Sequence, residues 1–328
     1  MERIYRIVIV TFIVMMSCGM FAQNRTTAIL QRGEAPKVFY GSNAFVEAFA
    51  QAQAGDVISL SNGTFNVPEK INIPVRIQGA GTLTLFAAAP VIELPDETSG
   101  LWMEGIKMPG MTMDGVINGA TIQSCYFTGD LNVNSSGNSC LFNKCRMEQF
   151  LFLPGNLDGL IFSNCIINGG ICGDRNTEHA PFFKKSVMNR FVYEEWNKSR
   201  NRYLYYISSG MLESCIVRGG ISSEPQFSFF NVVYWDGVPS SDAIYENLIK
   251  LSQSDFNALF KQDTLYELTD EAAAKYIDTD GTQIGAYGGL SPFTLVPAIP
   301  RISYGGVSST TNAEGKLPVT INVEVVNK

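Results

Sequence analysis

The sequence predicts an all-β fold, a right-handed parallel β-helix with coils of about twenty residues, an N-terminal capping helix and a short C-terminal β tail. Three observations predict it. First, Ile122-Gln123-Ser124-Cys125-Tyr126-Phe127 recurs as Phe142-Asn143-Lys144-Cys145-Arg146-Met147 and as Phe162-Ser163-Asn164-Cys165-Ile166-Ile167, at a spacing of 20 residues. Such self-similarity is the mark of stacked repeats. Second, two other columns keep the same step: Leu131, Leu151, Ile171, Val192 and Ile221 as an apolar column, and Asn118, Asn138, Asp158, Glu178 and Ser208 as a turn column. Third, a period of twenty is too short for a strand, crossover helix and return strand, which need roughly 30 residues. At about 3.3 Å per residue it makes one closed, three-sided coil, whose neighbours pair as parallel strands about 4.8 Å away.

The elements follow in chain order. Arg3 and Arg6 precede an apolar run from Ile7 to Met16, with small residues near Ala22, so residues 1–22 are expected to be an export signal. The run is too short to span a bilayer comfortably. Cys18 offers an alternative, a lipid anchor at the cell surface. The expected location is extracellular, periplasmic or cell-surface. Residues 23–290 are assigned to the β-helix and 291–328 to an extended tail. Phe45, Ala48, Phe49 and Ala52 recur at helical spacing, which predicts a short amphipathic helix capping the open end of the stack. The repeat reaches back to Met103-Glu104-Gly105-Ile106 and forward to Phe183-Lys184-Lys185-Ser186-Val187. A further copy, Leu212-Glu213-Ser214-Cys215-Ile216-Val217, is delayed by an insertion near 193–209.

Asn118-Gly119 and Asp158-Gly159 read as corners, because Asn, Asp and Gly tolerate positive φ. Six cysteines follow the export signal: Cys125, Cys140, Cys145, Cys165, Cys172 and Cys215. An even count in an exported chain invites a disulfide reading. Equivalent residues on adjacent coils point the same way, however, so Cys125, Cys145 and Cys165 are read as a buried thiol stack. With His179 as the single histidine of the chain, zinc is not expected. Ile244, Leu248, Leu251 and Leu259 predict a helix-containing excursion between Asp242 and Gln262. Pro292, Pro297 and Pro300 mark an extended connection, and residues 317–325 alternate like a terminal strand.

Residues 43–290 carry "AGDVISL", "NGTF", "IQGAG" and "DGTQIGAYGG", and with them the chain resembles the pectin-lyase-like right-handed β-helix superfamily. The resemblance implies the fold, with the last motif, Asp280–Gly289, as a closing coil. It does not fix an activity, since this architecture hosts lyases, hydrolases, esterases and inert scaffolds. The Asn-Thr-Asp, paired-Asp and Gly-His-Gly motifs of polygalacturonase-like members are absent. So are the Asp-His and Arg-Pro signatures of the pectate-lyase-like ones, and no catalytic residue carries over.

The net charge of −7, one unit more negative without Arg3, Arg6 and Glu2, repels polyphosphate, so nucleic acid is not an expected partner. Acidic polysaccharides are repelled as well unless cations cluster locally. No segment after the export signal is apolar enough to cross a membrane as a helix. Candidate acid–base residues are Asp174, Glu178 and His179 on one bend, with Glu194 and Glu195 one strand later; a solvated loop is the plainer reading. Calcium could use the Asn118, Asn138, Asp158 and Glu178 column, although a ladder of hydrogen-bonding corner side chains is the reading preferred. In the insertion, Trp196 and Tyr203 could stack on sugar rings while Arg200 and Arg202 pair with uronate or sulfate. Packing of this segment onto the coils is the competing reading. Two functions follow: a non-catalytic exported β-helix that presents a rigid face to a polysaccharide or an envelope protein, or a divergent polysaccharide lyase or glycoside hydrolase.

Overall fold

A repeat this short survives only if each strand buries one face and pairs on both edges. The computed structural model describes residues 26–33, 35–95, 100–155, 157–173, 180–191, 195–197, 202–204, 207–222, 226–297, 301–307 and 319–324. It is a β-solenoid of about 8 turns. On one side, Thr121–Gln123, Leu141–Asn143, Ile161–Ser163, Phe182–Lys184 and Ser209–Glu213 stack as parallel strands, with Ile122, Phe142, Phe162, Phe183 and Leu212 in register. All five of these side chains are buried. The rings of Phe142, Phe162 and Phe183 stack at 5.0 and 5.1 Å between centroids. A second side carries Tyr126–Phe127, Arg146–Met147, the start of Ile166–Gly173, Val187–Phe191 and Ile216–Gly220.

On the third side the apolar column holds through Leu131, Leu151 and Ile171 but then departs from the sequence expectation. Ile171 pairs with Phe191, not with Val192, because a register shift between Ile167 and Gly170 absorbs one residue. Gly169 sits in that shift. A Cβ there would stand 1.9 Å from the Gln149 carbonyl oxygen, so a side chain at this point would push the coils apart.

The bend between the first two sides turns on one residue in the left-handed region. Ser124, Lys144, Asn164, Lys185, Ser214, Asn231 and Asn247 have φ between 44 and 56°, and Gly105 has 66°. This conformation is uncommon for residues other than glycine. It recurs here because it turns the chain without interrupting the ladder. The bend N–H groups of Ser124, Lys144, Asn164, Lys185 and Ser214 each donate to the residue before the bend on the next coil, at 2.8–3.0 Å. Immediately after the bend comes the cysteine column. Cys125, Cys145, Cys165 and Cys215 are free and buried. Their thiols donate to carbonyls of the preceding coil, as from Cys145 to Ile122 at 3.3 Å and from Cys165 to Phe142 at 3.4 Å. Ser186 fills the same column and donates to the Phe162 carbonyl at 3.3 Å. Burial raises the Cys125 and Cys145 thiols well above their ordinary pKa and takes Cys215 to about 12.

The ends are closed differently. Helix α1, Ala44–Ala50, buries Phe45, Ala48 and Phe49 against the first coils, with Phe45 stacked on Phe86 at 5.1 Å. Strands Thr27–Gln31 and Lys37–Tyr40, which the sequence did not signal, pair antiparallel with each other, and the first also pairs antiparallel with Val57–Leu60. A reversed strand offers its pairing edge to the first coil and leaves no parallel template exposed. At the other end, Ile244 and Leu248 lie on the strand Ile244–Lys250, the last of the stack, and not on a helix. Helices α2, Gln253–Asn257, and α3, Asp270–Lys275, come after it, each opened by a side-chain cap from Ser252 or Thr269. From there the chain turns back along the outside of the stack. Phe256, Leu259, Leu268, Tyr276, Ile284 and Ala286 form a second core with the outward side chains of Ile166, Val187, Ile216 and Val233. Asp280–Gly289 therefore belongs to an external cover instead of a closing coil; between residues 276 and 297 there is no strand. Arg301–Val307 and Val319–Glu324 close the described chain as an antiparallel hairpin. Among the described residues, no helix is long and apolar enough to cross a membrane.

Candidate functional site

Most of the residues singled out from sequence lie outside what the structure describes: Asp174, Glu178, His179, Glu194 and Arg200. Glu195 and Trp196 lie on the strand Glu195–Asn197, and Arg202 and Tyr203 on Arg202–Leu204. The two strands pair antiparallel with Trp196 opposite Tyr203, so part of the insertion is a hairpin separate from the main sheet. In the corner column, Asn118, Asn138 and Asp158 are in register. Asn118 Oδ1 accepts the Asn138 N–H at 3.1 Å, which is a ladder contact. Among the described residues, no three carboxylate, thiol or imidazole groups gather in a metal-binding arrangement.

A concavity lies where the cover meets the last coils. Strand alternation along Ser209–Glu213 buries Leu212 and turns Met211 and Glu213 outward. Parallel register places Phe230 and Glu246 beside Glu213 on the following coils. The left-handed bend residues Ser214, Asn231 and Asn247 form one wall, and Ile277, Asp278 and Thr279 of the cover form the other. The groove encloses about 560 Å³, within the roughly 300–1,000 Å³ of small-molecule sites. Asn247 Nδ2 donates to Asn231 Oδ1 at 2.6 Å, while Asn231 Nδ2 reaches the Ile277 carbonyl and Asp278 Oδ1, both at 3.4 Å.

The carboxylates here are mostly committed. Glu213 pairs with Lys184 at 2.8 Å. Asp278 pairs with Lys185, and both side chains are buried; Lys185 also reaches Asp280 at 3.0 Å and Thr282 Oγ1 at 3.2 Å. Burial alone would raise the pKa of Asp278. Hydrogen bonds from Lys185 and the Thr279 N–H, with the charge of Lys185, outweigh it and hold this carboxyl far below the usual range. Asp278 is thus a fixed anion and cannot serve as a general acid at neutral pH. Glu246, exposed at the groove edge, has no ion-pair partner among the described residues.

Sequence reasoning missed this site for a definite reason. Glu213 and Ser214 stood in a recognised copy of the repeat, but Asn231 and Asn247 lie on shorter coils beyond the twenty-residue period. Asp278 comes from the aperiodic cover. An Asn one position before an inward apolar residue, as in Asn231–Val232 and Asn247–Leu248, was the available signal. No family model, curated protein or solved structure matches the chain. The class that fold and site define is therefore a parallel β-solenoid with a lateral groove under an external cover.

Proposed function

We propose that this chain is an exported, non-catalytic β-solenoid whose groove under the cover binds an extracellular glycan, with a neutral polysaccharide as the occupant. The observation that carries the reading is the neutralisation of groove carboxylates by Lys184 and Lys185. Hydrolysis of a glycosidic bond needs two available carboxyl groups, one of them able to donate a proton. In this groove Asp278 is locked as an anion and Glu213 is engaged by lysine, which leaves Glu246 as a single unpaired carboxyl where two are needed. What remains is the chemistry of recognition: Asn231, Asn247 and Thr279 for sugar hydroxyls, and Met211, Phe230 and Ile277 for the apolar faces of the rings. The resemblance of residues 43–290 to pectin-lyase-like β-helices, without their catalytic motifs, supports the same reading.

Mature protein incubated with neutral and uronate-containing polysaccharides, with and without calcium, tests it. Binding of a neutral polysaccharide that weakens in Asn247→Ala, with no change in substrate chain length, is the expected result. New reducing ends or unsaturated products would establish a lyase or hydrolase instead.

A further inference from the structure

The sheet that carries Phe142, Phe162 and Phe183 runs the whole length of the stack. It begins at Lys37–Tyr40, passes through Thr27–Gln31 and Val57–Leu60, and ends at Ile244–Lys250. The reversed strand Thr27–Gln31 covers the edge of the first coil, but the strand outside it reverses again and so runs in the sense of the coils. Among the described residues, each of the two outermost strands pairs along one edge only. An edge of unpaired N–H and C=O groups is a template for another strand.

The two edges are complementary in direction, register and charge. The inward column starts at Lys37, opposite Leu30, and finishes at Tyr245, opposite Phe229. Its members from Leu30 to Phe229 are buried, whereas Lys37 is exposed and Tyr245 is 57% exposed. The adjoining outward column starts at Val38 and finishes at Glu246, and both of these are exposed as well. Of the eight large apolar side chains exposed among the described residues, four, Val38, Tyr40, Ile244 and Tyr245, lie on these two strands. Apolar exposure is thus concentrated at the ends of the stack. Lys37 Nζ donates to the neutral Gln51 Oε1, just past helix α1, at 3.1 Å. Neither Lys37 nor Glu246 has an ion-pair partner among the described residues. Lys250, the other charge on the last strand, folds back to the Gly237 carbonyl of its own chain at 2.9 Å.

We infer that this chain assembles head to tail with further copies of itself, Ile244–Lys250 of one copy pairing with Lys37–Tyr40 of the next. A copy advanced along the stack axis presents Lys37–Tyr40 in the direction of one more coil strand. In the continued register Lys37 lies against the Tyr245 ring, which attracts a cation to its face, and Val38 lies beside Glu246. Like ends do not match. Joining two copies by the same end brings two Lys37 ammonium groups, or two Glu246 carboxylates, into one interface, and like charges opposed across strands are destabilising. A lysine on an edge strand deters indiscriminate pairing; here it favours the edge that ends in a ring and a carboxylate. Stacking along the axis leaves a free end on every product, so the series is open and does not stop at a dimer. The contact requires no groove ligand, and its readout is mass.

Sedimentation velocity of the mature protein at rising concentration is expected to show a mass that climbs past the dimer. Two variants test the polarity. Val38→Asp sets a carboxylate against Glu246, and Tyr245→Lys sets an ammonium against Lys37. Both positions are exposed, so the circular dichroism of each variant should match that of the parent. Each variant alone should associate about a hundredfold more weakly, since like charges brought together at an interface oppose binding. Mixed in equal amounts, the two should form a heterodimer and stop there, because the unaltered Ile244–Lys250 edge of one meets the unaltered Lys37–Tyr40 edge of the other. A parent chain that stays monomeric at every concentration reached, or that levels off at the dimer, would overturn the inference. So would variants that assemble like the parent, or a mixture of folded variants that stays monomeric. Neutral-polysaccharide binding by Val38→Asp, whose groove residues are untouched, keeps this outcome separate from that of the groove reading.

Discussion

The coils from Trp102 to Val217 and the cover from Gln253 to Phe293 lie against each other but are held by opposite kinds of contact. In the coils one set of contacts repeats: an inward apolar side chain, a left-handed bend, a thiol or hydroxyl donating to the coil before. Each is modest, and the sum is large because every coil supplies it. The cover has no repeat. It is attached by single events, such as Lys185 with Asp278, Asn164 Nδ2 donating to the carbonyls of Ala286 and Gly288 at 2.9 and 2.8 Å, and Gly285 N–H donating to Ser214 at 2.8 Å. The difference teaches where recognition can arise. A uniform stack offers a uniform surface, and the groove forms where the irregular segment meets it.

Five measurements break or sharpen that contrast. The largest effect is expected for Phe162→Ala, which removes the middle ring of the stack and should cost about 3–5 kcal/mol. Chemical denaturation would read it as a loss spread over the coils; a shift below about 1 kcal/mol would show that the stack is not the main support. Next, Lys185→Met leaves Asp278 buried without its ammonium partner, a change that costs about 3 kcal/mol at similar sites. The loss should be confined to the cover. Hydrogen exchange at Ile284, Gly285 and Gly288 should accelerate while Phe142 and Phe162 keep their protection. Uniform acceleration would mean that coils and cover unfold as one unit.

Acid should do more weakly and reversibly what that substitution does. The folded-state pKa of Asp278 lies below its unfolded value near 3.9. Its contribution is therefore complete above that value and disappears as pH falls toward the folded pKa. Exchange at the same cover amides should rise below about pH 4 before the coils respond. The smallest effect is expected for Cys165→Ser, about 1 kcal/mol or less, because Ser186 already occupies this column and donates in the same way. Thiol alkylation of the native protein at pH 8 should be slow at Cys125, Cys145 and Cys215 and fast after denaturation, since burial holds these thiols protonated.

Legibility in the sequence followed the same division. The inward column of Cys125, Cys145 and Cys165, the corner at Asn118, Asn138 and Asp158, and the capping helix with Phe45 and Phe49 were all readable, because period and amphipathicity are local properties. Val192 was misassigned to the apolar column because one residue separates Met188 from Arg190 where two separate Ile167 from Gly170, so that Ile171 pairs with Phe191. Ile244 and Leu248 satisfied a helical spacing yet lie on a strand, since pairing with Gln226–Asp236 outweighs a weak local pattern. The candidate sites fared differently. The groove joins Glu213 to Asp278, a pair with no sequence relation.

By itself, the sequence determined that this chain winds into stacked coils, because a repeat of side-chain type at a fixed interval leaves one way to bury every inward residue and pair every strand. Only the tertiary structure decided which lysine neutralises which carboxylate, and which bend residues face the cover. Those outcomes depend on where an aperiodic segment lands on the outside of the stack, and that is set by one-off contacts between distant residues, which no period encodes.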